Sequence, residues 1–278
     1  MQISFSRFDD NVARFVISGF SSAFVNALRR TMIGEVPTLA IEDVLIYDNS
    51  SALFDEMLAH RLGLIPLKTD LDEYVFTKDC SCDGEGCSAC TSVYTLSVEG
   101  PKVVYSRDLI PQNPLATPVE EDIPLVKLER DQKVVLEARA VLGRGTEHAK
   151  WQPTLACGYK AYPRITFDSK CDGCGMCVDE CPRNVLEIKG NSAAVVEGKI
   201  EDCSLCKLCE RICIANADTW DSPAISIGTE DDVFIFVVES DGSLPVRKIL
   251  TQAAKEIQTK SDSLVDVLCD ISGGNGND

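Results

Sequence analysis

Basic residues are scarce relative to acids, with 27 Lys and Arg facing 44 Asp and Glu for a formal net charge of −17. Neutralising phosphates takes a basic surface, so a duplex-binding face is not the main business of this chain. No run of eighteen apolar residues occurs, so nothing is read as spanning a bilayer. Met1 to Asp10 alternates polar and apolar residues and lacks the basic start and apolar core of a signal peptide, so the expected location is cytoplasmic. Histidine occurs only as His60 and His148, so any metal site must be built from other donors. There is no D-x-D-x-D cluster of the kind that holds Mg²⁺ for phosphoryl chemistry, and Asp231 and Asp232 read as a turn before a strand. Gly84 and Gly86, Gly143 and Gly145, and the tail Gly273, Gly274 and Gly276 do not compose a G-x-G-x-x-G turn after a strand, so no dinucleotide fingerprint is present. The hydrophobic fraction of 45% and the charged fraction of 26% are those of an ordinary globular chain, not a disordered one.

What is present in excess is cysteine, 14 in 278 residues. A disulfide scaffold would be short and secreted, whereas this chain is long enough for about two cored domains. In a reducing compartment such cysteines point to metal ligation. Twelve of the fourteen fall into three groups of four: Cys80, Cys82, Cys87 and Cys90; Cys171, Cys174, Cys177 and Cys181; Cys203, Cys206, Cys209 and Cys213. Cys157 and Cys269 stand alone, and Cys269 is expected to pack within a helix.

Periodicity predicts a hairpin from Ile3 to Phe8 and Val12 to Ser18, turned by Asp9, Asp10 and Asn11. A helix is expected after Ser21, with Phe24, Ala27, Leu28 and Met32 at helical spacing and Pro37 ending it. Leu39 to Tyr47 reads as a strand, Phe54 to Leu62 as a short helix, and Lys78 to Cys90 as a loop ordered by something other than a core. Val93 to Val98, Lys102 to Tyr105 and Val134 to Val141 read as strands, joined by a connector with Pro111, Pro114, Pro118 and Pro124. Val233 to Glu239 is a strong strand, and Leu244 to Leu268 carries the best helical pattern, in Ile249, Leu250, Ala253, Ile257, Leu264, Val265 and Leu268.

Cys171 to Pro182 is C-x2-C-x2-C-x3-C-P, and Cys203 to Ile214 repeats the spacing 32 residues later with Ile in place of Pro. Three thiolates within seven residues can wrap one corner of a cubane, with loop N–H groups aimed at the sulfides and the fourth ligand supplied from a distance. Eight reduced thiols or a pair of zinc sites are the alternatives. The region resembles a two-[4Fe–4S] ferredoxin domain. That resemblance implies crossed ligation: Cys171, Cys174, Cys177 and Cys213 hold cluster one, and Cys181, Cys203, Cys206 and Cys209 hold cluster two. The third group, Cys80, Cys82, Cys87 and Cys90, is C-x-C-x4-C-x2-C and suits an all-thiolate zinc site, the alternative being a flexible acidic loop with free thiols.

Outside the ferredoxin-like stretch, Asn26-Ala-Leu-Arg-Arg-Thr-Met-Ile-Gly-Glu35 and the strand after it resemble the opening helix and strand of the α-like assembly subunits of multisubunit RNA polymerases. His60-Arg-Leu-Gly-Leu-Ile-Pro-Leu67 matches a second signature of that family, the cysteine loop sits where archaeal and eukaryotic members can carry zinc, and Val237 to Ser243 followed by a long helix is similar to the closing strand and dimerisation helix. The version resembled is the archaeal D type with a ferredoxin-like insertion.

The resemblance implies an α+β fold, with a discontinuous dimerisation domain over 1–45 and 226–270. An insert domain over 46–165 would carry the cysteine loop at 78–91, followed by an iron–sulfur domain over 166–225 and a disordered tail at 271–278. It implies a non-catalytic assembly and platform subunit of DNA-directed RNA polymerase. Such a subunit would pair with a small L-type subunit, meet the large catalytic subunits, and touch little or no nucleic acid. It would carry two [4Fe–4S] clusters and one zinc, and its clusters could make assembly depend on iron or oxygen. The alternative drawn from the cysteine repeats alone is an electron-transfer subunit of an oxidoreductase.

Overall fold

The computed structural model describes residues 1–215 and 222–273. In chain order the elements begin with strands β1 (Gln2–Phe8) and β2 (Val12–Ser18), helix α1 (Ser22–Gly34), strand β3 (Thr38–Asn49) and helix α2 (Asp55–Gly63). They continue with β4 (Thr91–Glu99), β5 (Lys102–Tyr105), β6 (Ile110–Pro111), β7 (Pro124–Leu128), β8 (Lys133–Gly143) and β9 (Thr154–Phe167). Then come α3 (Met176–Asp179), β10 (Leu186–Lys189), β11 (Ser192–Val195), α4 (Leu208–Ala215), β12 (Ile225–Ser240) and α5 (Val246–Gly273). The chain divides into two compact units: Met1–Ser6, Phe15–Ser22 and Tyr159–Phe236 form one, and Arg7–Arg14, Ala23–Gly158 and Val237–Asp278 form the other.

The first unit holds most of each strand of a sheet ordered β1-β2-β12-β9. Phe15 stacks on Phe236 at 5.1 Å between ring centroids, and Tyr159 meets Phe236 at 5.5 Å, so aromatic faces from three strands close this part of the core. The remainder of the unit is a second small core in which Cys177, Leu186, Ala193, Cys209, Ile225 and Ile227 are buried together. The hairpin β10–β11, with Leu186 opposite Val195, supplies its floor. Asp231 and Asp232 lie inside β12, not in a turn before it. A left-handed Asp232 (φ 54°), whose carbonyl accepts the Gly19 N–H at 2.9 Å, lets the strand bend and continue.

The second unit is built on a sheet ordered β3-β8-β4-β6, with Thr38 opposite Gly143 and Thr91 opposite Val141 setting the two central registers. Helix α2 covers it through Leu58 and Leu62, and Leu39, Ile41, Ile65, Leu67, Tyr94 and Leu136 fill the space between. Asp9 fixes the β1–β2 turn by accepting the N–H groups of Asn11 and Val12 on one carboxylate oxygen.

Helix α1 buries Val25, Thr31 and Met32 but leaves Phe24 and Ala27 exposed, so the expected apolar stripe is divided between an inner and an outer face. Helix α5 shows the same division along its length. Val246, Ile249 and Ala253 are buried, whereas every described side chain from Gln258 to Ile271 is exposed. Cys269 lies on that exposed half, not in packing as expected. The helix runs to Gly273, past the expected start of the tail, and residues 274–278 lie outside the described residues.

Candidate metal centres

The loop over 78–91 ends directly in β4, and this adjacency orders it. Val75 donates to Ala89 O, and Cys90 and Thr91 both donate to Cys87 O, which curls the segment back on the start of the strand. Left-handed Asp83, Gly84 and Gly86 make the two reversals. Cys80 and Cys90 are buried and Cys82 and Cys87 half-buried, so the loop sits against the body of its unit and is not isolated from a core.

All four sulfur atoms lie within 4.8 Å of one another. The Cys80–Cys87, Cys82–Cys90 and Cys87–Cys90 separations are 3.5, 3.6 and 4.0 Å. Zinc bound tetrahedrally at about 2.3 Å places its sulfurs about 3.8 Å apart, so this spacing fits that ion. The Cys82 thiol is lowered to about 6, first by the Cys87 N–H. The Cys82 N–H also pulls Cys80 down, but the neighbouring thiols and burial outweigh it and hold Cys80 up at about 12. Four sulfurs this close cannot all ionise without a cation to offset their repulsion.

The eight remaining grouped cysteines form two sets in the first unit. Cys181, Cys203, Cys206 and Cys209 line one cavity, together with Ile165, Leu186 and Ile227. Burial foremost raises the Cys209 thiol to about 11, and the charges of Cys203 and Cys181 add to it. The Cys177 thiol is raised to about 11 in the same way, first by burial and then by the charges of Cys171, Cys174 and Cys213. The fourth cysteine of each repeat therefore lies beside the first three of the other.

Backbone N–H groups point at the sulfurs. Ala193 donates to Cys171 and Ala224 to Cys213, each at 3.3 Å. Burial raises Cys171, but the Ala193 and Gly173 N–H groups outweigh it and the net shift is downward. Cys206 is lowered chiefly by the Leu208 N–H, with Ser204 and the Arg211 charge adding. Soft sulfur donors in an apolar shell, with N–H groups aimed at sulfur, fit iron–sulfur clusters.

Sequence reasoning missed four groups here. Lys160 of β9 donates to the carbonyls of Glu201 and Cys203 at 2.6 and 2.7 Å. Glu210 accepts the Ile227 N–H. The Ala193 and Ala224 N–H donors reach sulfur because of where β11 and β12 begin. No local sequence signal marks any of them.

Two family profiles match the chain. The RNA polymerase Rpb3/RpoA insert domain covers residues 44–159, and a 4Fe-4S dicluster domain covers residues 170–217. A protein of Methanosarcina acetivorans named DNA-directed RNA polymerase subunit Rpo3 is 44% identical over 269 residues, spanning 96% of this chain and 98% of the relative. Relatives of the same name from Archaeoglobus fulgidus, 41% identical over 93% of this chain and 94% of the relative, and from Picrophilus torridus, 38% identical over 93% and 96%, extend the likeness.

Proposed function

Since this chain belongs to the Rpo3 family of DNA-directed RNA polymerase subunits, we propose that it is a non-catalytic assembly subunit that pairs with a small L-type subunit through the exposed half of α5. The observation that carries the pairing is apolar surface without cover: Leu264, Val265, Val267, Leu268 and Ile271 are each 54–64% exposed on one helix end. Leaving a cluster of that size in water is costly, and a partner helix of matching apolar pattern removes it. Leu264 also borders a groove lined by Arg30, Ile33, Ile257 and Lys260, which gives the partner a polar rim. The exposed Phe24 lies on α1 of the same unit.

Residues 1–45 and 226–270 serve as the dimerisation domain, 46–165 as the insert domain and 166–225 as the iron–sulfur module. Cys171, Cys174, Cys177 and Cys213 hold one [4Fe–4S] cluster, Cys181, Cys203, Cys206 and Cys209 the other, and Cys80, Cys82, Cys87 and Cys90 a zinc ion. When bound, these metals supply folding energy to loops with little core of their own. Ile225 and Ile227 of β12 pack with Cys177 and Cys209, so the strand that leads into α5 starts in the iron–sulfur core. Assembly thereby depends on the clusters. The large catalytic subunits and nucleic acid lie with other faces and other chains of the enzyme. No helix among the described residues is long and apolar enough to cross a membrane. The electron-transfer alternative is not favoured, because the likeness to Rpo3 spans both the cysteine repeats and nearly everything around them.

Co-expression with candidate small subunits under anaerobic conditions tests this reading. A 1:1 complex is expected, weakened by air oxidation or by Cys174→Ser and Cys206→Ser. A chain that stays monomeric with every candidate would contradict the pairing, and equal affinity with and without clusters would contradict the dependence.

A further inference from the structure

The two cysteine loops take left-handed backbone at matching positions but differ in sequence there. In the first, the left-handed positions are Gly173 and Gly175, with φ of 71° and 83°. In the second they are Leu205 and Lys207, with φ of 58° and 61°. Side chains at left-handed positions crowd their own backbone, so the second loop is less disposed to its shape than the first. It is held from outside the repeat instead. The Lys160 ammonium, on β9, donates to the carbonyls of Glu201 and Cys203, at the point where that loop begins.

Charge differs between the loops as well. The cavity lined by Cys181, Cys203, Cys206 and Cys209 is also lined by Arg183 and Lys207 and, among the described residues, by no carboxylate. Lys160 is bonded to the main chain of Cys203 itself. Glu210, on the same helix as Cys209, is engaged by the Ile227 N–H and by Lys207 at 3.6 Å. In the other set a carboxylate sits inside the loop itself, where Asp172 accepts the Cys174 N–H at 3.1 Å. The Ala193 and Ala224 N–H bonds to Cys171 and Cys213 act in the opposite direction, but partial charges on N–H groups weigh less than full cations at similar range.

We propose that Lys160 is a positioning residue for the second cluster site, clamping the loop that carries Cys203 and making the site of Cys181, Cys203, Cys206 and Cys209 the first of the two to accept an electron. An added electron makes a cluster more negative, and nearby cations stabilise that state. The inference rests on the reading that both sites hold [4Fe–4S] clusters, and the test separates the two.

The full chain, purified anaerobically, is analysed for iron and titrated with dithionite while the paramagnetic signal is followed. Dithionite is oxidised as one electron enters each cluster. Wild-type protein is expected to hold about eight irons; about four or none would remove the two-cluster reading itself, whatever Lys160 does. The Cys174→Ser and Cys206→Ser proteins identify which signal belongs to which site.

With both clusters present, Lys160→Met is expected to make the second site harder to reduce and several-fold faster to release iron to a chelator. The first site should be unchanged, and Lys160→Arg should restore both properties. Loss of the second cluster alone, leaving the signal seen in Cys206→Ser protein, supports the same assignment. An unchanged order of reduction with unchanged iron release, or an equal effect on both sites, would overturn it. Lys207→Met and Arg183→Met are milder and keep the clamp. Each is expected to lower the potential of the second site only, and no shift in either would overturn the electrostatic part.

Discussion

Leu205 stands in the second cysteine loop where Gly173 stands in the first, and both residues take the left-handed backbone, at φ 58° and 71°. A side chain built on Gly173 would come within 2.9 Å of the Asn191 backbone, so this position is restricted by space as well as by conformation. Gly173→Ala is therefore expected to cost about 1–3 kcal/mol and to speed loss of the first cluster while sparing the second. Lys207→Gly, at an exposed left-handed position, is expected to gain about 1 kcal/mol and to slow iron release from the second loop. Rates of iron release to a chelator measure both.

The apolar end of α5 makes a prediction about association that is separable from folding. Leu264→Asp and Leu268→Asp lie on the exposed half of the helix, so the isolated chain should unfold at its usual temperature. Each buried leucine contributes about 1.5–3 kcal/mol to an interface, so either change is expected to weaken pairing with the small subunit by roughly tenfold to a hundredfold. Titration calorimetry with the purified partner checks this, and Ile249→Asp serves as the contrast because it should unfold the chain.

Where α5 leaves the body of its unit, charge takes over from apolar packing. Arg144 reaches Glu256 at 3.3 Å and Glu35 at 3.8 Å and lies over the Phe76 ring at 5.2 Å, while Lys260 pairs with Glu35 at 2.8 Å. Arg144→Ala is expected to cost about 1 kcal/mol, partly through lost ring contact, with the charge part shrinking at high salt. Thermal unfolding at low and high ionic strength separates the parts.

Stability should also depend on pH through Asp241. Burial raises its carboxyl above the ordinary range, and the Ser243 N–H and hydroxyl bonds to it, at 2.9 and 2.5 Å, only partly oppose that. The folded chain then binds this proton more tightly than the unfolded one. The contribution of Asp241 is most favourable below its unfolded pKa and is lost as pH rises through the raised folded value. Asp241→Asn keeps an acceptor without the charge, so it is expected to raise stability at neutral pH and to flatten this part of the pH profile. A lower melting temperature at neutral pH would contradict the assignment.

The thiolate loop yields a spectroscopic expectation. X-ray absorption at the zinc edge should report four sulfur neighbours at about 2.3 Å and no nitrogen. Cys90→Ser should lower the metal content and loosen the start of β4, read as faster amide exchange at Thr91 and Ser92. An intact β4 and unchanged zinc in that variant would show that the ion is held elsewhere.

The hairpin, α1 and the strands around Leu39 and Val134 were legible because alternation and helical spacing are local properties of the chain. The cysteine sets were legible for the same reason, since ligand spacing is written along a few residues. Strand β9 was not: Cys157, Gly158 and Pro163 break its alternation, and its order comes from neighbouring strands. Nor could periodicity divide α5, because Ile249 and Leu268 obey the same spacing while, among the described residues, only the first is buried in a core. Lys160 was hidden by distance, standing 41 and 43 residues from the carbonyls that it holds. Cys269 was misread because a position on an amphipathic helix does not say whether that stretch of helix meets a core.

The most direct test of the central claim is native mass spectrometry, with iron analysis, of this chain co-expressed anaerobically with a small L-type subunit. The expected result is a 1:1 heterodimer carrying about eight irons that dissociates when Leu264 and Leu268 are changed to Asp. A monomer with intact clusters that ignores the small subunit, or a heterodimer indifferent to both leucines, would contradict it.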